Sequence, residues 1–434
     1  MTLAIYTFLL CAFFILASPW FAVQLLRKEK YRAGIRQRLG LYPAGLREEL
    51  DGRRCVWLHA VSVGEALAAA PLAKALAAAL PGRRVVLSTV TLTGQGVAKE
   101  KTAGAATVIY FPLDLPFAVG RALDLVRPEL IAIVETEIWP NFIALAARRG
   151  VPIAIVNGRI SDRSFRGYRR LRPALRTILP LVSRFSMQTA LDAERITALG
   201  APPASVSVGG NMKFDCGLSP AGAPELLAAR AALGLRGDAP AFVAGSTHRG
   251  EEGFVLDAYD AARRRFPGVS LVLVPRHPER RGEVAALCEG RGFSCVLRTR
   301  LPRGERVPDG AVLVADTIGE LAAIYRAATV VFVGKSLVDG GGQNIIEPAC
   351  MGKPVIFGPS MHNFREAAEL LLASRGAVRV ADARGLAEAV VALLGDDASR
   401  EGLGRRAAEA MAGSRGATQR NLALLLGLIG AGGR

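Results

Sequence analysis

Acidic side chains are scarce in this chain of 434 residues: 38 Asp and Glu stand against 55 Lys and Arg, a formal net charge of +17. An excess of that size selects anionic partners, which leaves nucleic acid, an acidic lipid surface or phosphorylated substrates. Aromatic residues make up only 6%, which disfavours single-stranded nucleic acid, whose bases need aromatic platforms beside the basic groups. The six cysteines (Cys11, Cys55, Cys216, Cys288, Cys295 and Cys350) form no Cys-x-x-Cys pair, and histidines number only four. A zinc site is therefore not expected, and the cysteines read as small core residues of a reduced, cytosolic protein. No Asp-x-Asp triplet occurs, so a two-carboxylate metal clamp on a nucleotide diphosphate lacks its usual residues. There is no short internal repeat. At 51% apolar and 21% charged residues the chain has ample material for packed cores, and its length points to two domains.

Charge is also absent from residues 1–26. About 20 helical residues at roughly 1.5 Å each cross a 30 Å hydrocarbon layer. A cleaved signal peptide carries basic residues before its apolar stretch; here Arg27, Lys28, Lys30, Arg32, Arg36 and Arg38 follow it, against a single Glu29. The expectation is a membrane anchor with everything after Leu26 on the cytoplasmic side. A hydrophobic helix buried in the fold is the alternative to an anchor, and Pro19 and Trp20-Phe21 also suit a helix lying in the interface, so spanning and in-plane arrangements both stand. A second basic stretch, Arg163, Arg166, Arg169, Arg170, Arg172 and Arg176, is interleaved with Phe165, Tyr168 and Leu171. It suits a membrane surface or a phosphorylated lipid, and equally a solvated surface helix that Pro173 interrupts.

From Val56 to about Val208 short β-branched runs alternate with helical patterns, the rhythm of a parallel sheet. Expected strands are Val56–His59, Val85–Val90, Thr107–Phe111, Leu130–Glu135, Ile153–Val156 and Phe185–Gln188, with helices at Leu67–Leu80 and Phe142–Arg149. Gly209–Gly237 breaks the rhythm. It restarts with strands at Ala241–Ala244, Leu271–Val274, Val312–Val314, Val330–Val333 and Val355–Phe357. The architecture expected is α/β, two doubly wound Rossmann-like domains facing a cleft. The boundaries read as an anchor at 1–26, a first domain at 27–210, a linker at 211–238, a second domain at 239–405 and C-terminal helices at 406–434.

In such sheets ligands bind beyond the carboxyl ends of strands, and polar residues gather there. The most informative stretch is His59-Ala-Val-Ser-Val-Gly-Glu65, where an apolar strand empties into a helix. Backbone N–H groups at such a turn can hold an anion, and Glu65 is a lone carboxylate placed as a general base. Ser62 and Glu65, three apart, also match a capping box; the two readings are compatible, and capping leaves His59 unexplained. Later loops carry Glu135-Thr-Glu137, Asn157-Gly-Arg159, Gly245-Ser-Thr-His248, Arg276-His277, and Gly334-Lys335-Ser336 before Gly340-Gly-Gly-Gln-Asn344. Gly340–Gly342 ahead of a helix start reads as a phosphate cradle or as a flexible turn. Arg276 is the better anion ligand, because a fixed guanidinium matches a phosphate. Thr317 and Glu320 match a second capping box.

With these loops collected, the chain resembles the lipid A-specific Kdo (3-deoxy-D-manno-octulosonic acid) transferases over nearly its whole length and in motif order. The resemblance rests on Trp57-Leu-His-Ala-Val-Ser-Val-Gly-Glu65, Phe111-Pro-Leu-Asp-Leu-Pro116, Glu135-Thr-Glu-Ile-Trp-Pro-Asn141, Asn211-Met-Lys-Phe-Asp215, Gly245-Ser-Thr-His-Arg-Gly-Glu251, Val274-Pro-Arg-His-Pro-Glu279 and Asn344-Ile-Ile-Glu-Pro348. It implies a GT-B glycosyltransferase that needs no cofactor or metal and transfers Kdo from CMP-Kdo to a phosphorylated lipid A precursor with inversion. The enzyme would sit at the anionic inner membrane and bind no nucleic acid. By the same resemblance Glu65 is the catalytic base. Arg276 and His277 are a CMP-binding pair, and Ile318, Gly319, Glu320, Asn344, Ile345, Ile346 and Glu347 are further nucleotide contacts. His59, Ser62, Gly64, Glu137 and Lys335 are candidates for acceptor contacts or for supporting the base. Gln343 departs from the pattern, since many relatives are expected to carry His there. Two other readings remain open: a membrane-associated GT-B transferase that uses a UDP-sugar, and a non-enzymatic basic protein of the membrane surface.

Overall fold

The computed structural model describes residues 2–27, 32, 34–302 and 304–431; Lys28, Glu29 and Lys30 of the first basic stretch lie outside the described residues. The chain forms two compact units, residues 1–215 with 415–434, and residues 216–414. Among the described residues one helix is long and apolar enough to cross a membrane, with mean hydropathy 2.0 over Leu3–Phe21.

In the first unit, strands β1 (Arg54–His59), β2 (Arg83–Thr89), β3 (Thr107–Tyr110), β4 (Pro128–Val134), β5 (Ile153–Gly158), β6 (Arg184–Met187) and β7 (Val206–Val208) make one parallel sheet. Its order is β3-β2-β1-β4-β5-β6-β7. Val56-Trp57-Leu58 and Ile131-Ala132-Ile133-Val134 are apolar at successive positions because helices cover both faces of the sheet. One face is aromatic: Trp57, Phe111, Phe142 and Phe185 are buried there, and the Trp57 and Phe142 rings meet edge to face at 5.0 Å. On the other face the helix Val63–Ala79 buries Ala66, Ala69, Leu72, Ala73 and Leu76 against Val56, Leu58 and Leu87. Its alanines let the helix approach the sheet closely. The last helix, Ala417–Ala431, packs beside it. The Asp215 carboxylate fastens that helix at its start, accepting the N–H groups of Gly416 and Thr418 at 2.6 Å each. A carboxylate on unpaired N–H groups at a helix N-terminus satisfies both the hydrogen bonds and the dipole.

The second unit repeats the plan with β8 (Ala241–Thr247), β9 (Ser270–Pro275), β10 (Cys295–Leu297), β11 (Val312–Val314), β12 (Val330–Val333), β13 (Val355–Phe357) and β14 (Ala377–Arg379). All are parallel, in the order β10-β11-β9-β8-β12-β13-β14. The strand order reverses between β1 and β4 in the first sheet and between β8 and β12 in the second, the switch points where such folds bind ligands.

Each expected strand is present, with ends moved by a few residues. The expectation missed β7, β10 and β14, three-residue strands at sheet edges. Around Pro173 the predicted interruption is present: helices Asp162–Arg170 and Arg172–Ile178 meet at Leu171. The second predicted capping box is not. The helix after β11 begins at Leu321 with Glu320 itself in the N-cap position, and the Thr317 hydroxyl bonds the Glu320 carboxylate instead of a backbone N–H.

One buried carboxylate organises the second switch point. Glu251 is fully buried. Its Oε2 accepts the N–H groups of His248 at 2.9 Å and Lys335 at 2.6 Å, and its Oε1 those of Ser336 at 2.9 Å and Leu337 at 3.0 Å. The loop after β12 is thereby tied to the loop after β8. Gly334 has no room for a side chain between them, since a Cβ there would lie 2.6 Å from the Ser246 carbonyl oxygen. Glu251→Gln replaces one acceptor oxygen by a donor and orphans two buried N–H groups. The variant should lose on the order of 2–4 kcal/mol in urea unfolding; an unchanged midpoint would show that this loop is held by other contacts.

Candidate functional site

Glu65 stands at the first switch point. Strand β1 ends at His59, and the helix begins at Val63 with Ser62 as N-cap, whose hydroxyl accepts the Glu65 N–H at 3.3 Å. The capping box is thus present in altered form. The Glu65 carboxylate accepts the Ser62 hydroxyl at 2.7 Å and the Val61 N–H, not that of Ser62, at 2.7 Å. The Val61 N–H at this turn is therefore taken by the protein's own carboxylate. Glu65 is 7% exposed. Burial raises its pKa, the Ser62 and Val61 hydrogen bonds oppose that, Glu135 adds to it and Lys213 subtracts. Burial with few donors is the setting that makes a carboxylate a stronger base.

Two more carboxylates converge from the end of β4. Glu135 pairs with Lys213 at 2.9 Å, and Glu137 is pushed up to about 7 by burial, by Glu65 and by Glu135. Glu135 and Asn157, at the ends of β4 and β5, have φ of 61° and 55°. Left-handed backbone is uncommon outside glycine and concentrates at functional turns. The Asn157 side chain accepts the Met212 N–H at 2.9 Å, which seats the turn that carries Lys213. Gly64 has ordinary backbone, and a side chain there would meet only the Ser62 hydroxyl, at 3.9 Å. Nothing inside the protein demands glycine at that position.

His59 supports this site from below. It is fully buried, stacked on Phe111 at 3.7 Å, and its Nδ1 meets the Ser88 hydroxyl at 2.9 Å. That hydroxyl also accepts from Trp57 Nε1 at 2.8 Å. Burial holds the imidazole down at about 3, so it is neutral. Of its two candidate roles, burial leaves the supporting one.

The second switch point is cationic. Arg276 and His277 follow β9 and are exposed. His248 follows β8, with its ring 5.7 Å from that of His277. Burial lowers the His248 pKa to about 4, helped by Lys335, His277, Arg276 and Arg280. Its neutral Nε2 lies 3.2 Å from Gln343 Nε2, so the amide donates and the imidazole accepts. Gln343, the departure from the family pattern, therefore has a partner. Lys335 lies in the second unit, on the loop after β12. Asn344 bridges to Glu347 at 2.9 Å and accepts the Ile346 N–H at 3.0 Å, while Ile345 and Ile346 are buried. Ile318 is 88% exposed, beside Gly319 at φ 88°, and Glu320 pairs with Arg298 at 3.6 Å. The phosphate-cradle reading of Gly340–Gly342 fails. Gly340 and Gly341 donate to the Ser360 hydroxyl at 3.3 and 2.9 Å, and Gly342 donates to the Lys335 carbonyl at 2.7 Å. Sequence reasoning also gave no role to Glu251 or Lys213. Each lies in a quoted motif, but only tertiary hydrogen bonds reveal what it does. Chemically, one switch point offers a base among like charges and the other a set of cations for an anion.

Residues 33–216 match the sequence model of the 3-deoxy-D-manno-octulosonic-acid transferase (kdotransferase) family. The 3-deoxy-D-manno-octulosonic acid transferase of Haemophilus influenzae is 35% identical over 404 residues, covering 92% of each chain. That of Bordetella pertussis is 36% identical over 396 residues, covering 89% of this chain and 90% of that one. Among solved structures, Anabaena HepE in complex with UDP has a TM-score of 0.56 at 14% identity, over 86% of this chain and 99% of that one. The Neisseria meningitidis UDP-GlcNAc 2-epimerase bound to UDP-GlcNAc has a TM-score of 0.55 at 12% identity, over 86% of this chain and 100% of that one. At such identity these two speak for the fold alone. With two doubly wound parallel sheets of GT-B type and relatives that match along nearly the whole chain, the protein belongs to the family of 3-deoxy-D-manno-octulosonic acid (Kdo) transferases, glycosyltransferases of lipopolysaccharide biosynthesis.

Proposed function

We propose that this Kdo transferase moves Kdo from CMP-Kdo to a hydroxyl of a phosphorylated lipid A precursor, inverting the anomeric centre, with Glu65 as general base and no metal. The observation that carries the reading is the Glu65 carboxylate itself, nearly buried at a strand-end turn, made more basic by burial and Glu135, and still able to accept a proton. In the transfer, Glu65 takes the hydroxyl proton as the oxygen attacks the anomeric carbon opposite the phosphate, and the bond from that carbon to the CMP oxygen breaks. The negative charge left on CMP is met by Arg276, with His277, Asn344 and Glu347 as neighbouring nucleotide contacts. Fixed cations serve here in place of a metal clamp. Gly64 keeps the approach to Glu65 clear. The basic balance of the chain and its apolar N-terminal helix fit a phosphorylated acceptor held in the inner membrane, with the transferase on the cytoplasmic side.

Glu65→Gln keeps the shape of the turn but cannot take a proton at neutral pH. Transfer should fall about 10²–10⁴-fold with CMP affinity unchanged. In the wild type kcat/KM should drop as pH falls through the raised Glu65 pKa, and that limb should be missing from the residual activity of the variant. Near-normal turnover of Glu65→Gln would refute the base assignment.

Arg276→Ala, titrated with CMP in the presence of EDTA, should bind about tenfold or more weakly, in keeping with a charge-assisted phosphate contact of roughly 1.5–3 kcal/mol. Equal affinity would move the nucleotide site elsewhere.

Glu137 supplies a stability test. Its pKa rises on folding from 4.5 to about 7, so the unfolded chain ionises first. The penalty against folding grows across that interval and persists above it. Glu137→Gln should therefore melt higher than the wild type at pH 8, and the difference should close towards pH 4.5. A gap independent of pH would mean that the carboxyl is not held in its neutral form.

A further inference from the structure

The N-terminal helix Thr2–Arg27 is fastened to the first unit at its beginning. The Tyr6 hydroxyl donates to Asp114 Oδ2 at 2.9 Å, and the Thr7 hydroxyl donates to Asn141 Oδ1 at 2.9 Å. Asp114 is buried, and its carboxylate also accepts the N–H groups of Asn141 at 3.1 Å and Phe142 at 2.8 Å, so the helix docks on a built part of the fold. The chain beyond the helix returns to the neighbouring residue: the Leu113 N–H donates to the Arg38 carbonyl at 2.8 Å. Both sides of the helix are thus tied to Leu113-Asp114.

A helix that crossed the bilayer from this point would carry Arg27 about 32 Å away from Tyr6, at 1.5 Å per residue. Residues 28–37 would then have to come back through the hydrocarbon, carrying Lys28, Lys30, Arg32 and Arg36. Ten residues reach roughly 35 Å when extended, but an extended chain in lipid leaves its backbone N–H and C=O groups unpaired and immerses the charges. The helix surface supplies the alternative. Ile5, Phe8, Leu9, Phe13, Leu16 and Trp20 are exposed, Phe8 at 72% and Leu16 at 82%. Together with Ile15, 71% exposed, they fall within one arc of about 160° at 3.6 residues per turn. Leu3, Tyr6, Thr7, Leu10, Phe14 and Ala17 are partly buried and occupy the opposite side. Next to the helix pack Pro140–Arg148 and Arg172–Ile178, and Leu171 and the arginines from Arg163 to Arg176 are exposed there.

We infer that this helix lies in the plane of an anionic bilayer, its Ile5–Phe8–Leu16 face sunk into the interface and its Tyr6–Thr7 face on the protein, so that both its ends stand on the side of the catalytic units. The inference rests on the reading of the helix as membrane-bound. An apolar face of this kind sinks about 5–10 Å into the headgroup boundary, and the neighbouring arginines meet acidic headgroups. The helix then sets the tilt of the first unit on the membrane through Asp114.

An epitope tag ahead of Met1 on the full chain tests the arrangement, by protease digestion of right-side-out spheroplasts and of inverted inner-membrane vesicles. The tag should be removed only in inverted vesicles; removal in intact spheroplasts means a spanning helix and overturns the inference. Flotation with phosphatidylglycerol-containing vesicles separates this from failure of the underlying reading. Wild type should float, and Phe8→Glu/Leu16→Glu should lose most of that binding while keeping CMP affinity. A wild type that stays in the soluble fraction, or one whose outward face is covered by a second copy in a stable dimer, overturns the membrane reading itself. Undiminished flotation of the double variant overturns the assignment of the outward face.

Discussion

A buried carboxylate at the first strand-to-helix turn of each sheet is the constraint on which both switch points depend. Glu65 and Glu251 occupy corresponding places, one after β1 and one after β8. What differs is the number of donors each meets. Glu251 accepts four backbone N–H groups and is committed to holding two loops together. Glu65 accepts one N–H and one hydroxyl, and Glu135 beside it disfavours its charge. Hydrogen bonds to a carboxylate stabilise its ionised form, whereas burial and like charges do the reverse. The same residue type is therefore committed to scaffolding in one unit and left with few donors in the other, the setting on which its proposed role as base rests.

The charge of the chain is distributed to match. At the second switch point His248 is kept neutral by burial and by the cations Lys335, Arg276 and Arg280, leaving it free to accept from Gln343. At the first switch point Glu65, Glu135 and Glu137 come together, and Lys213 moderates their charge. The proposed transfer, with an anionic leaving group and a neutral hydroxyl that must lose a proton, calls for these opposite fields. A set of exposed arginines lies on Asp162–Arg170 and Arg172–Ile178, where Phe165 and Tyr168 turn inward to the core. Amphipathicity there is first a packing device.

Much of this was legible in the residues, and the misses have physical causes. Central strands announce themselves because a parallel sheet covered on both faces needs unbroken apolar runs; β7, β10 and β14 are three-residue edge strands, only partly covered, with Ser207 interrupting β7 and Arg379 ending β14. The stretch from His59 to Glu65 showed a turn, a cap and a lone carboxylate. The Gly340–Gly342 reading failed because glycine marks where backbone bends, not which partner takes its N–H groups, and here Ser360 and Lys335 take them.

What the sequence by itself determined is therefore the periodic part and the motif part: two doubly wound sheets, their switch-point loops, the apolar N-terminal segment, the cationic balance and the family. What only the tertiary structure decided is where side chains distant in sequence meet. Asp215 holding the last helix, Glu251 gathering the β12 loop, Lys213 answering Glu135, His59 sealed beneath the site and Tyr6 bound to Asp114 are contacts across tens to hundreds of positions. Local pattern encodes which face of an element is apolar. It does not encode which buried donor finds which acceptor, because that pairing is fixed only when packing excludes water and every polar group must be satisfied inside the fold.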